Sequence, residues 1–110
     1  MSKQDKVLDR LSETLASRRN ADPETSYTAQ LFAGGPDSIL KKIGEECAEL
    51  IMAGKEGKRL KIVWESTDVI YHVLVLLAFY GLSMEDVLQE LRRREGISGI
   101  DEKKSRKAAK

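Results

Sequence analysis

Apolar residues recur along the chain at intervals of three and four, and no stretch alternates convincingly with a period of two, so the pattern predicts helices. In residues 3–19, Val7, Leu8, Leu11 and Leu15 mark one helical face, and Asn20-Ala21-Asp22-Pro23 ends it. A short helical piece follows from about Tyr27 to Phe32, closed by Gly34-Gly35-Pro36. Asp37 or Ser38 can cap a third helix, whose stripe of Ile39, Leu40, Ile43, Cys47, Leu50 and Ile51 runs to about Ala53, before Gly54 and Gly57. The longest predicted helix spans about Lys58 to Tyr80 and ends at Gly81. Its second half, from Val69 to Tyr80, is apolar nearly all round and must be covered on several sides, which predicts a subunit interface. Ser83, with Asp86 three residues on, matches a capping box for a last helix with the stripe Val87, Leu88 and Leu91. The expected fold is all-α, an antiparallel bundle of four to five helices completed by dimerisation.

A chain of 110 residues and 12.3 kDa is long enough for one core, expected over residues 1–100. Nineteen Lys and Arg nearly balance eighteen Asp and Glu, so bulk charge calls for neither nucleic acid nor an anionic membrane. Residues 101–110 hold five basic and two acidic side chains, which predicts a flexible, solvated basic tail. The single cysteine, Cys47, excludes an internal disulfide framework and a cysteine-based zinc site, and it reads as a core residue. The longest apolar-rich run, Val69 to Tyr80, is shorter than the roughly 20 residues of a spanning helix, and no secretory signal is visible. A soluble cytoplasmic protein is expected.

The informative chemistry is acidic. Glu46 and Glu49 form one i, i+3 pair and Glu65 and Asp68 another, each within about 60° of helical arc. Glu46 borders the apolar stripe, whereas Glu45 lies farther out. Glu65, Asp68 and His72 share a second arc, flanked by Val69. Two antiparallel helices joined by a short turn would bring the two pairs together. Four carboxylates beside an apolar core repel one another, and a cation relieves them. Oxygen-only ligands suit Mg²⁺ or Mn²⁺, whose chemistry is attack of water on a phosphate chain. The competing reading is a solvated charged face, because Lys41, Lys42 and Lys61 each precede an acid by four residues. His72 reads as an orienting hydrogen-bond partner of Asp68, a satisfied core histidine or a substrate contact. Arg92-Arg93-Arg94 either offset a helix dipole or bind phosphate. No glycine pattern fits a P-loop.

Several stretches together resemble the phosphoribosyl-ATP pyrophosphatase family of the all-α nucleotide pyrophosphatase (MazG-like) superfamily. They are Ser26-Tyr27-Thr28-Ala29, Gly34-Gly35, the run from Lys41 to Glu49, Glu65-Ser66-Thr67-Asp68, the run from Tyr71 to Leu77, Arg92-Arg93-Arg94 and the run from Ser98 to Lys103. The resemblance covers about residues 5–106. It implies hydrolysis of phosphoribosyl-ATP to phosphoribosyl-AMP and pyrophosphate, a step of histidine biosynthesis, with Mg²⁺ required and a helical homodimer. It places the metal ligands on Glu46, Glu49, Glu65 and Asp68, with Glu45 as an additional acid. Lys42, His72, Arg93 and Arg94 are the candidate contacts to the nucleotide substrate. Relatives fused to a cyclohydrolase are longer and carry a Cys/His metal set, so the stand-alone form is expected. Two other functions stay open: a house-cleaning hydrolase of other nucleoside triphosphates, and a non-catalytic dimerisation module.

Overall fold

The computed structural model describes residues 6–109, which form six α-helices and one 3₁₀ turn, with no strand among them. The start of the predicted first helix at residues 3–5, and Lys110 of the predicted tail, lie outside the described residues. The all-α expectation holds, with more helices than the four or five expected.

Helix α1, Val7–Ser17, turns Leu8, Leu11 and the fully buried Leu15 inward and runs into a 3₁₀ turn, Arg18–Asn20. The Asp22 side chain accepts from the Glu24 N–H at 2.9 Å and turns the chain toward α2, Tyr27–Ala33. The Ser26 hydroxyl caps α2 by accepting from the Ala29 N–H at 3.1 Å.

Helix α3, Gly35–Glu56, starts earlier than the predicted Asp37 or Ser38 cap. Gly35 takes φ +78°, a conformation open to glycine, so α2 passes directly into α3 with Pro36 in the first turn, where its missing N–H costs nothing. Gly54 stays inside the helix, and the stop falls at Gly57, whose left-handed φ of 74° lets its N–H reach the Ala53 carbonyl at 3.0 Å. Helix α4, Arg59–Phe79, then returns antiparallel to α3, and this hairpin is the main helix pair of the molecule. Helices α1 and α2 pack on it, closing a core of Leu15, Leu31, Ile39, Leu74, Val75 and Ala78.

That core lies at one end of the hairpin. The other end, around the Gly57 turn, leaves Ile51, Met52, Leu60, Val63 and Trp64 exposed. The uncovered apolar surface of α4 therefore sits mainly in its first half. The second half, where the sequence predicts the interface, buries Leu74, Val75 and Ala78 within the chain. By length and composition α4 could cross a bilayer, with a mean hydropathy of 1.5 over its most apolar stretch. It carries Glu65, Asp68 and a buried His72 and packs on α1, α2 and α3, which are features of a bundle's core helix.

Helix α5, Met84–Arg94, begins with the expected Ser83/Asp86 capping box and packs on α1. Where the sequence predicts a solvated tail, residues 99–109 form α6, Gly99–Ala109. The Ser98 hydroxyl caps it by accepting from the Asp101 N–H at 3.1 Å. Glu102, 4% exposed, is held by Arg93, Arg94 and Arg106. Charge counting misses this, because a basic segment reads as repulsive until its one buried acid is paired with arginines from the preceding helix. Glu90 joins the cluster, and hydrogen bonds first from Arg93 and then from Arg94 hold its carboxyl at about 2, well below its ordinary 4.5. A depressed carboxyl stabilises the fold above its ordinary value and loses that contribution as pH falls toward about 2. Glu102→Ala should loosen α6 already at neutral pH, seen as faster hydrogen exchange at amides 99–109 with the core amides unchanged. Equal exchange in both proteins would show that the ion cluster does not hold the helix.

Candidate metal and nucleotide site

The Gly57 turn decides which acids meet. Glu49 and Glu65 each lie eight residues from Gly57, and Glu46 and Asp68 each lie eleven. In an antiparallel hairpin, positions equally distant from the turn come side by side. Glu49 thus faces Glu65 on one rung, and Glu46 faces Asp68 one turn along, about 4.5 Å farther at the usual helical rise. One carboxylate oxygen from each of Glu46, Glu49 and Glu65 falls within 4.8 Å of the other two. Asp68 stands outside this closest group, yet near enough for its charge to act on Glu46.

The environments of the acids differ. Glu46 is buried at 7% exposure, Glu65 is half-buried, and Glu49 and Asp68 are exposed. Burial, then repulsion from Glu49 and Asp68, pushes the Glu46 carboxyl up, against attraction from Lys42. Lys42 lies 3.7 Å from Glu46 and 3.6 Å from the exposed Glu45, so the lysine is shared between the buried and the outer acid. A cation would relieve a buried carboxylate crowded by two others, and the all-oxygen donor set fits Mg²⁺ or Mn²⁺.

His72 is a satisfied residue. Its Nδ1 lies 2.9 Å from the Asp68 carbonyl oxygen, an atom that only accepts, so Nδ1 carries the proton. In the neutral ring Nε2 then accepts from the Tyr27 hydroxyl at 2.8 Å. Beside this pair, the Thr28 and Tyr71 hydroxyls bond at 2.6 Å. Two cross-helix pairs therefore lock α2 onto α4 alongside the acids. Nothing in the sequence pattern assigns Tyr27, Thr28 and Tyr71 a role. They stand in the stretches that carry the family resemblance, but a contact between residues 27 and 72 has no periodic signal. Arg93 and Arg94 lie on α5, bonded to Glu90 and Glu102.

A helical hairpin that gathers carboxylates from both arms around one buried acid defines an all-α protein with an all-oxygen donor set of the kind divalent metals favour. The family profile described as phosphoribosyl-ATP pyrophosphohydrolase matches residues 8–95. A phosphoribosyl-ATP pyrophosphatase of Dechloromonas aromatica (strain RCB) is 86% identical over 100 residues, covering 91% of this chain and 93% of that protein. Proteins of the same name from Azoarcus sp. (strain BH72) and Geobacter sulfurreducens are 59% and 52% identical, covering 92% and 96% of this chain and 94% and 98% of their own lengths. The chain belongs to the phosphoribosyl-ATP pyrophosphohydrolase family, a family of hydrolases.

Proposed function

We propose that this chain hydrolyses phosphoribosyl-ATP to phosphoribosyl-AMP and pyrophosphate, a step of histidine biosynthesis, as a Mg²⁺-dependent homodimer in the cytoplasm, with neither nucleic acid nor membrane as a partner. The observation that carries this reading is the convergence of Glu46, Glu49 and Glu65 oxygens within 4.8 Å in a chain of this family. Glu46, Glu49 and Glu65, with Asp68 on the adjoining rung, would hold the metal, and Glu45 would hold a second metal or a water once released from Lys42. A bound divalent ion neutralises the charge that develops on the phosphate chain and polarises the phosphorus that water attacks. The bond between the α- and β-phosphates breaks, water supplies the new oxygen, and a proton is released with pyrophosphate.

Lys42 is the cation next to the acids and is suited to an outer phosphate. Its charged form is favoured first by the neighbouring Tyr27 and then by Glu45 and Glu46. Arg93 and Arg94 could reach a phosphate only by exchanging the Glu90 and Glu102 carboxylates for phosphate oxygens. The exposed apolar end of the hairpin supports a second copy packed there, since single chains rarely leave such a patch uncovered.

The test is pyrophosphate release from phosphoribosyl-ATP and Mg²⁺, with ATP and other nucleoside triphosphates alongside. Preference for phosphoribosyl-ATP by kcat/KM is the expected outcome, and a house-cleaning hydrolase would instead favour the panel. Glu49→Gln should slow release by about 100-fold or more, because even outer partners of metal ligands are worth about 10–100-fold. Undiminished turnover in that variant would refute the metal assignment.

A further inference from the structure

Between α1 and the chain entering α2 lies an open cleft of about 280 Å³. Its walls carry hydroxyls from Thr14, Thr25, Ser26, Thr28 and Tyr71, and among the described residues the one charged side chain lining it is Arg18. The Arg18 side chain has no ion pair or hydrogen bond among the described residues, whereas Arg92, Arg93 and Arg94 are each paired with carboxylates. Tyr27 belongs both to this cleft and to the acid site. It lines the cleft, its hydroxyl is held by His72, and Lys42, Glu46 and Asp68 are close enough for their charges to act on it.

The hydroxyls have defined spare capacity. Thr14 donates to the Arg10 carbonyl at 3.0 Å and Thr25 to the Asp22 carbonyl at 3.2 Å, so each oxygen is left to accept. Ser26 accepts the α2 capping bond, so its proton is left to donate. A polyol with an anionic end is the ligand that uses two acceptors, a donor and an unpaired guanidinium. Resting on the reading above, the substrate carries a triphosphate at one end and a ribose 5-phosphate at the other. The metal-bearing acids accept the first and repel a bare phosphate, so the second must be met by a cation set apart from them.

We propose that this cleft is the subsite for the phosphoribosyl end of the substrate, with Arg18 pairing with the terminal phosphate monoester and Thr14, Thr25 and Ser26 facing the ribose. Tyr27 stands between the two ends, so one extended nucleotide can occupy both sites at once. The subsite distinguishes phosphoribosyl-ATP from ATP, which lacks the second phosphate.

Steady-state kinetics of Arg18→Gln test this. The expected result is a KM for phosphoribosyl-ATP raised about tenfold or more, the worth of a charge-assisted phosphate contact, with kcat within about twofold. Arg18→Lys should recover part of the loss, and Lys104→Gln, which removes an exposed charge on α6, should change neither constant. Ribose 5-phosphate at millimolar concentration should inhibit the wild type competitively and spare Arg18→Gln, and ribose should inhibit neither protein. An unchanged KM in Arg18→Gln overturns the subsite. Should the wild type fail to turn over phosphoribosyl-ATP, the reading of the acid site fails separately. In that event, titration of the amide signals of Thr14, Thr25 and Ser26 with ribose 5-phosphate still decides. Shifts that need Arg18 support a sugar-phosphate subsite, and their absence rules it out.

Discussion

Glu46→Gln should abolish measurable pyrophosphate release and at the same time raise the Tm of the metal-free protein by a few degrees. The two effects share one cause. Glu46 is buried, and burial together with Glu49 and Asp68 disfavours its charge. A carboxyl whose folded pKa is raised keeps its proton longer in the native state than in the unfolded chain. Stability therefore falls as pH rises from the ordinary carboxylate range through the Glu46 value. Glutamine keeps the shape, removes the charge and flattens that pH dependence, while Lys42 retains Glu45 as a partner at 3.6 Å. Mg²⁺ should reverse the order of stability, because the cation neutralises the wild-type cluster and finds a weaker site in the variant. Melting curves of both proteins between about pH 5 and 8, with and without Mg²⁺, make the comparison. A metal-free wild type more stable than Glu46→Gln, with no pH trend between them, would show that the carboxylate is not under electrostatic stress.

Trp64→Lys should break the proposed dimer. Ile51, Met52, Leu60, Val63 and Trp64 are 56–72% exposed and cluster where α3 and α4 meet at the Gly57 turn. Burying an aromatic of this size against a second copy removes about 150–250 Å² from water, and a charge at its centre reverses the gain. Lys58, Arg59 and Lys61 already make this end of α4 basic, so a further lysine adds repulsion across a two-fold axis. Sedimentation equilibrium should give twice 12.3 kDa for the wild type and 12.3 kDa for the variant. A wild type that sediments as a monomer would remove the homodimer from the proposal and leave the bare hairpin end unexplained.

Local rules made much of this protein legible. Ser83 and Asp86 form the capping box their spacing predicts, and Ser26, unassigned beforehand, caps α2 by the same chemistry. The i, i+3 acids could be placed on single faces because helical period alone puts them there. Where two signals competed, the local reading slipped. Gly54 looked like a stop, but the chain continues to Gly57, which alone of the two takes a left-handed conformation. Summed charge predicts a solvated tail, whereas Glu102 paired with Arg93 and Arg94 tethers it as a helix. In the most apolar half of α4, α1 and α2 help bury Leu74, Val75 and Ala78, while Ile70 stays 46% exposed.

By itself the chain's pattern determined the helical class, the two acid pairs and the family, since each depends on residues within a turn or two of one another or on the order of types along the sequence. Tertiary structure decided which carboxylates meet, that Glu46 alone among them is buried, that His72 is held by Tyr27, and that a hydroxyl-lined cleft with Arg18 opens beside them. Those facts arise from the hairpin's turn and from contacts between residues some 45 positions apart. No periodicity within one helix encodes them, because burial and charge coupling depend on what the neighbouring helices exclude.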